Sequence, residues 1–386
     1  MPQEINSIER TYRERLSAGE EVLKLFSGNP NEHGIIFPPQ VLEKAYRAYF
    51  QNQHYQPHPK GLPGARKAIC RYYRTQGAEV DSENLILTSG TSESFLHLFT
   101  LLGRPGDHFL TPSPAYPLFD HIARAARVEL RPYPLHEERN WALNVSELAS
   151  RVDDRTRGIV LISPNNPTGA VLTGEEISEV VELANRKGIP LLCDEVFSEF
   201  YFGEGEFPRV MAAKPRLAFT LNGISKMFAL PALKLGWIAV SGEKHQVEEA
   251  VDRLETQADT FLTCHTPIQE ALPEIFAQGE FFLREYRATV ATRRKLALEE
   301  LAKITGIHAA PPRGGFYLTA RVEGVQGFSE EQWVIALLRE RGVFVHPGFY
   351  YDYESGIHFI LSFLTREDDL RTGIRALGEF YQSSST

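Results

Sequence analysis

The stretch GIVLISPNNPTG, residues 158–169, decides how the rest of the chain is read. Its first half is a continuous apolar run. Its second half, Pro164-Asn165-Asn166-Pro167-Thr168-Gly169, carries the Asn-Pro signal of a turn. An unbroken apolar run that ends in a turn predicts a strand buried on both faces, as in a mostly parallel sheet covered by helices. Similar runs lie on either side: LIL at 85–87, FL at 109–110, IPLLC at 189–193, LAFTL at 217–221 and LGWIAV at 235–240. Helical patterns separate them, so residues from about 84 to 242 predict an α/β unit of the doubly wound type. Ligands of such sheets bind beyond the carboxyl ends of the strands. Gly90-Thr91, residues 163–169 and Asp194 all follow predicted strands directly.

Beyond residue 243 the rhythm changes. Helical patterns run to about 303 and end in the charged stretch EFFLREYRATVATRRKLALEELAK. After them come GFYLTARV (315–322), a helix near 330–341, and strand-like segments at 343–346 and 357–364 before a final helix. Strands and helices without alternation predict a smaller α+β domain. A length of 386 residues also favours two unequal domains. The net charge of −9 argues against nucleic acid or an anionic membrane as partner, since either would favour a basic surface. Cys70, Cys193 and Cys264 form no CxxC pair, which predicts a reducing, cytoplasmic setting. The charged N-terminus has no apolar h-region, so secretion is not expected. No apolar run reaches the length of a membrane span.

Three positions suggest chemistry. Lys226 sits in the apolar, hydroxyl-bearing stretch GISKMFALP, residues 223–231, and such surroundings lower an amine's pKa and make it nucleophilic. Asp194 ends a buried run, where a carboxylate is costly unless a cation pairs with it. Gly90-Thr91-Ser92 lies between a strand and a helix, and free N–H groups at a helix start bind anions. Taken singly, each has an ordinary reading: a surface lysine, a helix cap in the other two cases.

Together, PNNPTG, Asp194, and Lys226 in SKxxxLPxLKxGW resemble the signature of the aminotransferase class I/II family of fold-type I pyridoxal-phosphate enzymes. The resemblance spans the chain from about Gly28 onward. It implies a large α/β domain (46–279) that binds pyridoxal 5'-phosphate. A small C-terminal α+β domain (280–386) would be joined by the N-terminal segment (1–45). It further implies a homodimer in which an amino group passes from an amino donor to a keto acid by a ping-pong route. Lys226 would anchor the cofactor as a Schiff base and move the proton. Asp194 would pair with the pyridine nitrogen and Asn166 would donate to the phenolate oxygen. Thr91, Ser92, Ser225 and Lys234 would hold the phosphate, and Tyr116 would stack on the ring. Tyr55 would reach the partner's phosphate, and Gly28 would let the N-terminal loop close over substrate. A lyase, decarboxylase or cyclase on the same fold, or a non-catalytic cofactor binder, shares these motifs. A regulator with an added DNA-binding domain is not expected, because the family pattern starts near residue 28.

The sequence departs from the pattern at four places. Phe197 stands where the family often has tyrosine, Lys234 where it has arginine, and Gly223 where serine is frequent. Ile360, in HFILSF, takes the place of the arginine that grips the substrate carboxylate as a bidentate fork. Arg321 is the expected replacement, because strand alternation puts it on one face with Tyr317 and Thr319. Arg313 is the alternative, and an amine substrate needing no clamp is a third possibility.

Overall fold

The computed structural model describes residues 6–53, 56–262, 264–353 and 356–384. In chain order its strands begin with β1 (Leu23–Lys24), β2 (Leu85–Thr88), β3 (His108–Ser113), β4 (Glu129–His136) and β5 (Ala142–Leu143). Next come β6 (Thr156–Ile162), β7 (Leu191–Asp194), β8 (Leu217–Gly223) and β9 (Gly236–Gly242). The last are β10 (Ile307–Ala309), β11 (Tyr317–Val322), β12 (Val343–Phe344), β13 (His346–Pro347) and β14 (Ile357–Ser362).

Eight strands form the main sheet in the order β2-β9-β8-β7-β6-β3-β4-β5. The central run from β8 to β4 is parallel, while β2, β9 and β5 pair antiparallel at the flanks. In β6 the alternation is clear. Val160 and Ile162 point into a core with Phe95, Phe99 and Leu254, from helices Thr91–Leu102 and Lys244–Phe261. Ile159 and Leu161 point into another core with Ile177, Val180 and Leu183, from helix Gly174–Lys187. Each such side chain contributes roughly 1.5–3 kcal/mol on burial. Two layers therefore need apolar residues at every position of the strand, and the run GIVLI supplies them.

The sequence reading did not register β4 and β5. β4 breaks its apolar residues with Glu129, Arg131, His136 and two prolines and is mostly half-buried, as suits the margin of a sheet. Its one fully buried ring, Tyr133, donates its hydroxyl to the Val160 carbonyl at 2.7 Å and so fixes the strand to the sheet.

A second, antiparallel sheet has the order β10-β11-β14-β13. One of its faces packs on helices Glu330–Arg341 and Glu367–Ser384, where Trp333 stacks on Phe359 and meets Phe380 edge-on. The N-terminal segment joins this side: β1 pairs parallel with β12, and Leu25 accepts from the Ser362 N–H. Helix Thr266–Leu301 runs unbroken along both parts and packs against helix Pro39–Asn52. Among the described residues no helix is long and apolar enough to cross a membrane.

Candidate active site

β6, β7 and β8 are parallel neighbours, so their carboxyl ends lie side by side. β6 leads into the 163–169 turn, β7 ends at Asp194, and β8 leads into the short helix Ile224–Met227 that carries Lys226. This convergence is the candidate site. Lys226 Nζ donates to the Gly28 carbonyl at 3.1 Å and lies 5.9 Å from the centre of the Phe197 ring. Burial lowers its pKa to about 8, against the attraction of Asp194. Asp194 is buried, and its Oδ1 accepts from the Val196 N–H at 3.0 Å. Burial raises its pKa to about 7; the Val196 hydrogen bond and the Lys226 charge oppose the rise, and Glu195 adds to it. Both shifts favour the neutral forms, so desolvation outweighs the mutual attraction of the pair.

Glu195, next to Asp194, is also buried, and it forms an ion pair with buried Arg209. The Arg209 guanidinium lies 5.4 Å from the Tyr73 ring centre, and Tyr73 accepts from Trp237 Nε1 at 3.0 Å. Sequence reasoning missed this support. Two adjacent carboxylates at the end of a buried strand were the available signal, since each needs its own compensation.

Against Gly236, at the start of β9, helix Thr91–Leu102 begins at Gly90 without a side-chain cap. Gly90 has φ of 125°, which favours glycine. Three glycines meet here. A Cβ on Gly236 would lie 2.9 Å from Gly90 Cα, and one on Gly223 would lie 2.8 Å from the Leu235 carbonyl oxygen. The backbone itself fills the place where a serine at 223 would stand. Exposed Lys234 sends its Nζ to 3.7 Å from the position of a Cβ on Gly90. Thr91 and Ser225 are half-buried and Ser92 is exposed around the same cradle.

In the 163–169 turn, Asn165 does the structural work: its Oδ1 accepts from the Thr168 N–H and hydroxyl at 3.2 and 2.8 Å. Asn166 is left free of that task. Its Oδ1 is buried without a hydrogen-bond partner among the described residues. Gly169, at φ of 69°, accepts from the Arg313 and Gly314 N–H groups at 2.8 and 3.0 Å, which docks the turn on the approach to β11. Gly28 touches β11 as well, since a Cβ there would lie 1.6 Å from the Tyr317 hydroxyl. Tyr116 is exposed and lines a cavity of about 450 Å³ with Phe119, Phe349 and Tyr353. Tyr55 lies outside the described residues.

Arg321 lies on β11. It shares the predicted face with Tyr317 and Thr319, yet its exposed side chain pairs with Glu323 at 2.7 Å and approaches Glu137 at 3.8 Å. It stands four residues beyond Tyr317, roughly 13 Å along the strand. Ile360 is wholly buried, flanked on the sheet by Thr319 and His346. Arg313 is exposed and borders a different cavity of about 220 Å³, with Trp141 and Arg139.

The comparisons with known proteins bear on the family and the fold. The profile of the family described as aminotransferase class I and II matches residues 20–377. A glutamate-pyruvate aminotransferase of Haemophilus influenzae is 30% identical over 371 residues, covering 94% of this chain and 91% of the relative. An alanine aminotransferase of Mycobacterium tuberculosis is 28% identical, covering 98% and 90%. Among solved structures, an Escherichia coli aminotransferase superposes with a TM-score of 0.90 at 27% identity, covering 99% and 96%. An alanine aminotransferase from Pyrococcus furiosus gives 0.91 at 26%, covering 97% and 96%. The chain belongs to the class I and II aminotransferases and has their fold-type I architecture.

Proposed function

We propose that this aminotransferase works as a cytoplasmic homodimer with pyridoxal 5'-phosphate, moving an amino group from an amino donor to a keto acceptor in two half-reactions. The observation that carries the reading is the buried Asp194 carboxylate at the carboxyl edge of the sheet, which forms no ion pair among the described residues and is opposed in its neutral form only weakly by the Lys226 charge. Asp194 would pair with the protonated pyridine nitrogen of the cofactor, which would supply a cation there. Asn166 is a second buried polar group, its Oδ1 without a partner among the described residues; with the amide turned, its N–H would donate to the ring oxygen of the cofactor. Thr91, Ser92, Ser225 and Lys234 would hold the phosphate at the Gly90 cradle, with Tyr116 packed on the ring. Tyr55 would come from the second subunit, as the resemblance implies.

When bound, the cofactor acts as a sink for the electron pair left when the substrate's amine-bearing carbon gives up its proton. Lys226 Nζ takes that proton and returns it. An amine with a pKa of about 8 is partly neutral at physiological pH, which suits a base. Asp194 keeps the ring nitrogen protonated. The Phe197 ring, centred 5.9 Å from Lys226 Nζ and edge-on to Tyr317, gives the amine an apolar neighbour on that side.

The test is a half-reaction. Protein loaded with the cofactor and mixed with a donor alone should release one equivalent of carbonyl product, and a keto acceptor added later should restore the starting spectrum. Lys226→Ala should abolish both steps. Release of ammonia or carbon dioxide instead would refute transamination in favour of lyase or decarboxylase chemistry.

A further inference from the structure

The small sheet reaches the neighbourhood of Lys226 through Tyr317 and Gly28. Tyr317 touches Gly28, whose carbonyl accepts from Lys226 Nζ. Beside Tyr317, the aligned residues Thr319, Ile360 and His346 cross three strands. Phe26 stacks on the His346 ring at 3.8 Å between centres, and both rings are half-buried, whereas Ile360 is wholly buried. The Tyr351 hydroxyl lies 3.0 Å from His346 Nδ1, and the Tyr353 hydroxyl donates to Thr319 Oγ1 at 2.8 Å. Burial keeps the imidazole neutral down to about pH 4. The next charge along the face, Arg321, is paired with Glu323.

This wall has aromatic faces and neutral hydroxyls, and no cation among the described residues that form it. A carboxylate placed against it would give up its hydration without gaining a partner. A ring or alkyl group would gain apolar burial and aromatic contact. We infer that the substrate carries an uncharged, apolar group where it meets the Phe26–His346 wall, so that the donor is a primary amine without a carboxylate on its amine-bearing carbon.

The inference rests on the aminotransferase reading and narrows its substrate class. Both half-reactions share one site, so the acceptor is likewise an aldehyde or ketone. The exchange balances as R–CH2–NH2 plus R′–CO–R″ giving R–CHO plus R′–CH(NH2)–R″, with no external oxidant or reductant. The donor's carbon loses an amino group and a hydrogen and gains the oxygen; the acceptor's carbon does the reverse.

A matched pair differing only by the carboxylate tests it: 2-phenylethylamine against phenylalanine, each titrated into the cofactor-loaded protein, with binding and amino-group loss both measured. The amine should bind at least tenfold more tightly. Equal or tighter binding of phenylalanine, or no measurable binding of the amine, overturns the inference. If the amine binds preferentially but neither compound loses its amino group, transamination fails while the assignment of the wall stands. Phe26→Arg, at a half-buried position, should raise phenylalanine affinity at least tenfold, and an unchanged ratio would count against the wall as the specificity element.

Discussion

Replacing Asp194 with asparagine should stabilise the protein in the absence of cofactor. The carboxyl is only 8% exposed, and burial raises its pKa from 3.8 to about 7. A carboxyl whose folded pKa exceeds its unfolded value binds its proton more tightly when folded. The stabilisation is therefore complete below about pH 4 and is lost as pH rises through 7. A rise of about three units at 1.36 kcal/mol each leaves the cofactor-free wild type roughly 4 kcal/mol less stable at pH 8 than it would be with a neutral group there. Asparagine keeps the shape and the Oδ1 that accepts from Val196, and it carries no charge. The assay is urea unfolding of both proteins, stripped of cofactor, at pH 5 and pH 8. At pH 8 Lys226 is about half neutral, which limits the contribution of the lost Asp194–Lys226 attraction. Asp194→Asn should gain about 4 kcal/mol at pH 8 and about 1–2 kcal/mol at pH 5, as order-of-magnitude figures. With cofactor present the advantage should shrink or reverse, because the wild type alone gains a charge partner. A variant no more stable than wild type at pH 8, or an advantage that grows as pH falls, would refute the account of a carboxylate held for a cationic ligand.

Three other changes probe the supports of the site. Gly28→Ala puts a methyl group 1.6 Å from the Tyr317 hydroxyl, so stability should fall by about 1–3 kcal/mol together with donor conversion. Tyr317→Phe in the same chain should restore part of the stability, since the ring carbon beneath the hydroxyl is 2.7 Å from that methyl. Gly236→Ala drives its methyl group to 2.9 Å from Gly90 Cα, and cofactor affinity measured by fluorescence titration should drop at least tenfold while the helical circular dichroism is retained. Arg209→Leu strands Glu195 as a buried charge and should cost about 3–5 kcal/mol in chemical denaturation, most of it recovered by adding Glu195→Gln.

The sequence by itself determined the α/β class of the main sheet and which candidate groups follow its central strands. Runs such as GIVLI must be buried on both faces, and the residues that follow such runs in a parallel sheet meet at one edge. That reasoning is local, and it put Asp194 and the 163–169 turn at the ends of buried strands, as β6 and β7 have them; their roles, like that of Lys226, came from the family signature. It did not find β4, whose polar residues reflect a position near the sheet margin rather than a missing strand. Nor could it give depth. Alternation placed Arg321 on the same face as Tyr317, but a period of two says nothing of how far along that face a side chain stands or what awaits it. Glu137, far away in the chain, and Glu323 meet the guanidinium there. The contacts among Gly28 and Tyr317, among Gly90, Gly223 and Gly236, and between Phe26 and His346 likewise join residues far apart in sequence. Each depends on where packed elements finally stop, because steric exclusion and ion pairing act between surfaces that exist only after the chain has folded.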